Sequence, residues 1–230
     1  MNITILNSPS MLKEISSLQY LTQDLLHRSH EEQVQIACEA GVKWIQLRVK
    51  NKSHDEWLAI AKKVKKITDE FDVTLIVNDS VEIAKEVDVD GVHLGQEDLS
   101  PLEARKILGE EKIIGYSTHS LNEILAAKDF DIDYFGLGPF HFTSTKEKLD
   151  PVLGVDGIAT IVQRTRRAGI LKPIIAIGGI QLNDMKQLME ARLDGVAVSS
   201  AINFAVDPAM TIKKFQKLIE TSKLKLQTQQ

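Results

Sequence analysis

Short apolar or β-branched runs recur along this chain between longer stretches of helical period, and that alternation constrains the fold more than any other feature. The runs predict strands at 18–22, 44–48, 74–78, 91–94, 113–117, 134–137, 174–177 and 195–199. A stretch able to form a helix follows each of them, and one further run, 2–6, precedes them. Strand–helix alternation implies a parallel sheet covered by helices. Eight regular units in 230 residues favour closure into an α/β fold, a single-domain (β/α)8 TIM barrel, over an open doubly wound sheet. No linker or shift in composition marks a second domain. The reading divides the chain into an N-terminal extension (1–17), the barrel (18–222) and a flexible tail (223–230).

Helix starts are marked locally. Ser29, Ser53, Ser100 and Ser120 each precede a Glu by three residues, the pattern of a capping box. Pro101 and Pro208 suit the first helical position, where a missing N–H costs little. After Ser53, the residues Trp57, Ile60, Ala61, Val64, Ile67 and Phe71 form one apolar stripe, and the lysines between them form a solvated face.

Charge and composition exclude several classes of function. The chain has 32 acidic residues against 28 Lys and Arg, a net charge of −4, so a nucleic-acid backbone is not its partner. Its apolar runs are too short to span a bilayer, and no membrane partner is expected. The first residues lack a signal-peptide pattern. The single cysteine, Cys38, allows neither an internal disulfide nor a cysteine-based zinc site. A cytoplasmic protein acting on small molecules is expected, with the oligomeric state left open and a homo-oligomer among the options.

In a barrel of this kind, chemistry sits at the C-terminal ends of the strands. The second strand ends with Gln46, Arg48 and Lys50 on one side and Leu47 and Val49 on the other. An amide and two cations at one strand end suit a polyanion better than surface salt bridges. The third strand ends at Asn78 and Asp79, and Asp98 follows the fourth. Two carboxylates from neighbouring strand ends are hard oxygen ligands for Mg²⁺ shared with a diphosphate. Helix capping is the competing role for both, and for Asp79 alone the two roles weigh equally. Ser117, after the fifth strand, offers a hydroxyl to a phosphate oxygen. His119 reads equally as a base or a loop residue, and His93 as a satisfied core histidine. After the sixth strand a Gly-Pro turn leads to Thr143, Ser144, Thr145 and Lys146, a loop suited to closing over an anion. Gly179, Ser199 and Ser200 follow the last two strands, where barrels often bind phosphate. The residues thus describe two anion sites on one face, one cationic and one neutral. No Ser-His-Asp arrangement or cysteine nucleophile stands out.

Seven strings carry a family resemblance: Q-L-R-V-K at 46–50, N-D at 78–79, D-G-V-H-L-G-Q-E-D at 90–98, G-Y-S-T-H-S at 115–120, G-L-G-P-F-H-F-T-S-T-K at 136–146, A-I-G-G-I at 176–180 and V-A-V-S-S-A-I at 196–202. In this order they resemble the thiamine phosphate synthases. The resemblance implies joining of an aminopyrimidine diphosphate to a thiazole phosphate, with release of pyrophosphate. It implies that Gln46, Arg48, Lys50, Asn78, Ser117 and Lys146 bind the diphosphate, with Arg48, Ser117 and Lys146 closest to the chemistry. Asp79 and Asp98 would bind Mg²⁺. Thr143, Ser144, Thr145, Gly179, Ser199 and Ser200 would hold the thiazole phosphate. The chain departs from the family pattern at His141-Phe142, where Phe-Pro is usual, and at Val49, Ser80 and the long N-terminal segment. A thiazole tautomerase-like paralogue and a non-catalytic barrel that binds thiamine precursors are the alternatives. Retention of the full diphosphate set favours the synthase.

Overall fold

The computed structural model of the protein describes residues 15–142 and 151–227. Eight parallel strands close into a barrel in chain order: β1 Leu18–Leu21, β2 Trp44–Leu47, β3 Thr74–Asn78, β4 Gly91–Leu94, β5 Ile113–Thr118, β6 Tyr134–Leu137, β7 Ile174–Ile177 and β8 Gly195–Val198, which pairs with β1. Every expected strand from 18 onward is present to within one residue. The run at 2–6 lies outside the described residues.

Helices α1 His30–Glu39, α2 His54–Glu70, α3 Val81–Val87, α4 Pro101–Leu108, α5 Leu121–Ala126, α6 Gly154–Arg167 and α7 Met185–Glu190 follow successive strands. A short helix, α8 Ser200–Asn203, precedes the last, α9 Pro208–Gln227. Because α9 continues to Gln227, residues 223–227 are helical. Lys and Leu are good helix formers and extend the last turns even where Leu224 is exposed. Among the described residues, no helix is long and apolar enough to cross a membrane.

The capping pattern holds in two of four places. Ser29 and Ser53 form reciprocal boxes with Glu32 and Glu56. Ser100 and Ser120 accept the expected backbone bonds, but no reciprocal bond from the cap N–H to the glutamate completes the box. The Glu103 carboxylate accepts a hydrogen bond from the Ser100 hydroxyl, and the Glu123 carboxylate accepts one from the His119 N–H, at 2.6 Å in each case.

Strand alternation sorts the core into two layers. Outward residues such as Leu47, Val77, Leu94, Phe135 and Val196 pack under the helices. Trp44, Ile76, Ile113, Tyr134, Ile175 and Ala197 fill the lumen, with Ile15 packed against them. Nearly every strand residue is therefore buried, as in a sheet covered on both faces.

A brace recurs at the N-terminal ends of the strands. Asp90, Asp133 and Asp194 each stand directly before a strand and accept the N–H of a residue on the preceding strand, from Leu75, Ile114 and Ile174, each at 2.7 Å. Arg105 clamps Asp133 at 2.9 Å, and Arg166 clamps Asp194 at 2.5 Å. These bonds pair N–H groups that would otherwise be left without partners at the strand starts. Asp133→Ala should lower unfolding free energy by about 1–3 kcal/mol in urea titration, the cost of leaving such a group unpaired. An unchanged midpoint would show that water replaces the carboxylate freely.

Candidate active site

The lumen opens at the C-terminal ends of the strands into a cavity of about 890 Å³. Gln46, Arg48, Lys50, Asn78, Asp79, Asp98, Ser117, Gly179, Ser199 and Ser200 all line it. Every expected site residue among those described is thus gathered in one place. Thr143, Ser144, Thr145 and Lys146 lie outside the described residues.

The end of β2 is held from β1. The Arg48 N–H donates to Thr22 Oγ1 at 3.0 Å, and the Lys50 N–H donates to Asp24 Oδ2 at 2.8 Å. Buried His30 links these two anchors, with Nδ1 2.9 Å from Thr22 Oγ1 and Nε2 3.0 Å from Asp24 Oδ1. The backbone carrying both cations is therefore fixed through four side-chain bonds. Burial draws the Arg48 pKa down, while the charges of Asp79 and Asp24 push it back up. An arginine stays charged through such shifts.

Asp79 sits in left-handed backbone at φ +66°, a conformation that Asp tolerates better than most residues. It does not cap the next helix, because Ser80 does so by accepting the Ile83 N–H at 3.2 Å. Likewise Ser100, not Asp98, caps α4. The capping alternative is thereby removed, and both carboxylates are available to the cavity. Lys50 Nζ lies 2.6 Å from Asp79 Oδ2. Asp98 Oδ2 accepts the Gly95 N–H at 2.6 Å. Burial raises the pKa of Asp98, and the adjoining Asp79 charge raises it further, against the opposing Gly95 bond and Lys50 charge.

The opposite wall is neutral. Gly178 and Gly179 have φ of +100° and +67°, and the 139–142 segment packs directly on them. A Cβ on Gly179 would come within 2.8 Å of His141 Cβ. These glycines are required by the turn and by that loop, before any ligand is considered. Ser199 Oγ donates to Gln23 Oε1 and accepts from Asn203 Nδ2, both at 3.1 Å, so its hydroxyl ties β8 to β1. Ser200 opens α8 beside it.

His93 is buried, as expected of a core histidine, but it also lines the cavity and contacts Ser117. His119 holds Glu123 through its backbone and its ring, the reading of a loop residue. Burial pushes the Cys38 thiol up to about 11, far from a reactive thiolate. Sequence reasoning missed Thr22, Gln23, Asp24 and His30. The rule that strand ends carry the site, extended to β1, points to the first three.

A family model described as thiamine monophosphate synthase matches residues 19–202. The chain belongs to the thiamine monophosphate synthase family. A thiamine-phosphate synthase of Bacteroides fragilis is 42% identical over 198 residues, spanning 86% of this chain and 97% of the relative. One of Flavobacterium psychrophilum is 41% identical over 202 residues, spanning 88% and 98%. Among solved structures, the thiamine phosphate pyrophosphorylase from Pyrococcus furiosus superposes with a TM-score of 0.79 at 33% identity, covering 90% of this chain and 96% of that one. The family resemblance carried by the seven strings therefore stands, as does the barrel.

Asp79→Asn removes one of the two main influences that raise Asp98. The Asp98 carboxyl should then titrate at lower pH than in the wild type, as followed by its side-chain ¹³C resonance. An unchanged midpoint would mean that the two carboxylates do not sense each other.

Proposed function

We propose that this barrel is a thiamine phosphate synthase, joining an aminopyrimidine diphosphate to a thiazole phosphate and releasing pyrophosphate. The observation that carries the reading is the convergence of Arg48, Lys50, Asp79 and Asp98 on one cavity, in a chain of this family. The same reading places the work in the cytoplasm.

Gln46, Arg48, Lys50, Asn78 and Ser117 hold the pyrimidine diphosphate, with Lys146 joining from the loop. Gly179, Ser199 and Ser200, with Thr143, Ser144 and Thr145, hold the thiazole phosphate. Since the Ser199 hydroxyl is engaged with Gln23, its share in that site is its backbone. Asp79 and Asp98 hold Mg²⁺. Their fit to a hard cation rests on two adjoining carboxylates, one of them burdened by the charge of the other. Two protein oxygen ligands, completed by substrate phosphates, are a common Mg²⁺ arrangement. When bound, the ion would neutralise charge on the diphosphate oxygens.

The reaction breaks the bond between the pyrimidine methylene carbon and the diphosphate oxygen, leaving a resonance-stabilised cation. The thiazole nitrogen supplies the electron pair for the new C–N bond. Arg48 and Lys50 stabilise the charge gathering on the departing pyrophosphate. The walls orient the two reactants and exclude water. No general base is needed, in keeping with a site whose groups bind and position charge.

Purified protein given both phosphorylated precursors and Mg²⁺ should form thiamine phosphate and pyrophosphate in equal amounts. Thiazole phosphate binding without turnover would favour the tautomerase-like or binding-only alternatives. Asp79→Asn should raise the Mg²⁺ concentration needed for half-maximal rate by at least roughly tenfold. An unchanged metal titration would remove Asp79 from the metal site.

A further inference from the structure

Beneath the cavity floor, side chains from five strands form one hydrogen-bonded chain across the lumen. Gln46 Nε2 donates to Gln19 Oε1, and Gln19 Nε2 donates to Tyr134 Oη, both at 3.3 Å. Tyr134 Oη lies 2.8 Å from His93 Nδ1, and His93 Nε2 lies 2.8 Å from Ser117 Oγ. Gln19, Gln46, His93 and Tyr134 are buried. Gln19 and Tyr134 lie below the cavity, while Gln46, His93 and Ser117 reach it.

The neighbouring strands are shaped around this chain. A Cβ on Gly115 would lie 2.1 Å from Tyr134 Cζ, and one on Gly136 would lie 2.9 Å from His93 Cε1. Any larger residue at either position would displace a ring. Trp44 meets the Tyr134 ring edge-on at 4.9 Å and closes it in from another side.

The proton directions follow from counting donors. An amide nitrogen only donates. Tyr134 Oη therefore accepts from Gln19, and the Gln46 amide supports the same oxygen. Burial holds the phenol firmly protonated. Its one proton has His93 Nδ1 within reach as an acceptor at 2.8 Å, and in that arrangement Nδ1 is bare. The imidazole proton is left on Nε2, facing Ser117 Oγ. With that oxygen accepting from His93, the Ser117 proton turns away from the ring and toward the cavity.

We propose that Tyr134 is a positioning residue: it fixes His93 in the Nε2–H form and so makes the Ser117 hydroxyl a committed donor to an anionic oxygen in the cavity. The opposite tautomer would take the Ser117 proton for itself and present only lone pairs to the anion. That the anion is the diphosphate rests on the synthase reading above. The tautomer does not.

Long-range ¹H–¹⁵N correlation of the imidazole in the free wild-type protein tests the relay directly. Nε2 should resonate as a pyrrole-type nitrogen and Nδ1 as a pyridine-type nitrogen. In Tyr134→Phe that preference should be lost or reversed. A wild-type ring protonated at Nδ1 or at both nitrogens, or a spectrum unmoved by Tyr134→Phe, would overturn the proposal. The wild-type spectrum decides the tautomer even if the variant does not fold. In turnover, Tyr134→Phe should lower kcat roughly 10- to 100-fold, the effect of one hydrogen bond to a charged group, with KM for the thiazole phosphate unchanged. Ser117→Ala added to Tyr134→Phe should cost little more, because both act through one donor, and fully additive losses would overturn the relay. A wild type showing the Nε2–H ring but no product would uphold the tautomer and remove the synthase reading.

Discussion

Closing eight parallel strands into a ring sends every second side chain into the lumen, and that single constraint governs both the core and the site. At the N-terminal end the inward positions carry Trp44, Ile76, Ile113 and Ile175, which form an apolar plug. Toward the C-terminal end they carry Gln46, Arg48, Asn78, His93 and Ser117, which meet the cavity. The plug makes the floor rigid, and the polar layer above it inherits that rigidity. A site built on strand ends in this way needs little loop structure to place its charges.

The polar layer has to be satisfied internally to be tolerated. Buried amides, a phenol and an imidazole are costly unless each donor meets an acceptor. The Gln46–Gln19–Tyr134–His93–Ser117 chain meets that requirement, and the Thr22–His30–Asp24 group does the same under β2. What stays under tension is the pair Asp79 and Asp98, two like charges brought together with Lys50 beside them. Both carboxylates line the cavity.

Much of this was legible in the chain. The short apolar and β-branched runs placed eight strands to within one residue, because an edgeless barrel leaves each run one role. Gln46, Arg48 and Lys50 were readable as one face because alternation continues past the end of β2. Other features were not legible. Ser80 and Asp79 are equally good caps on paper, and only the left-handed turn at Asp79 decides between them. The roles of Tyr134 and Gln19 depend on packing across the barrel between residues 115 apart in sequence, which no local pattern encodes. Nor does any local pattern show that the 139–142 segment lies against the side of Gly179 that a Cβ would fill.

The central claim is that one barrel mouth holds two phosphorylated molecules side by side, one against the β2–β4 charges and one against the β7–β8 turns. The most direct test is calorimetric titration with thiazole phosphate and Mg²⁺ together with an unreactive pyrimidine diphosphate whose bridging oxygen is replaced by methylene. Each ligand should bind once per chain in the presence of the other. Mutually exclusive binding would contradict the claim, because it would mean that the two anion sites are one.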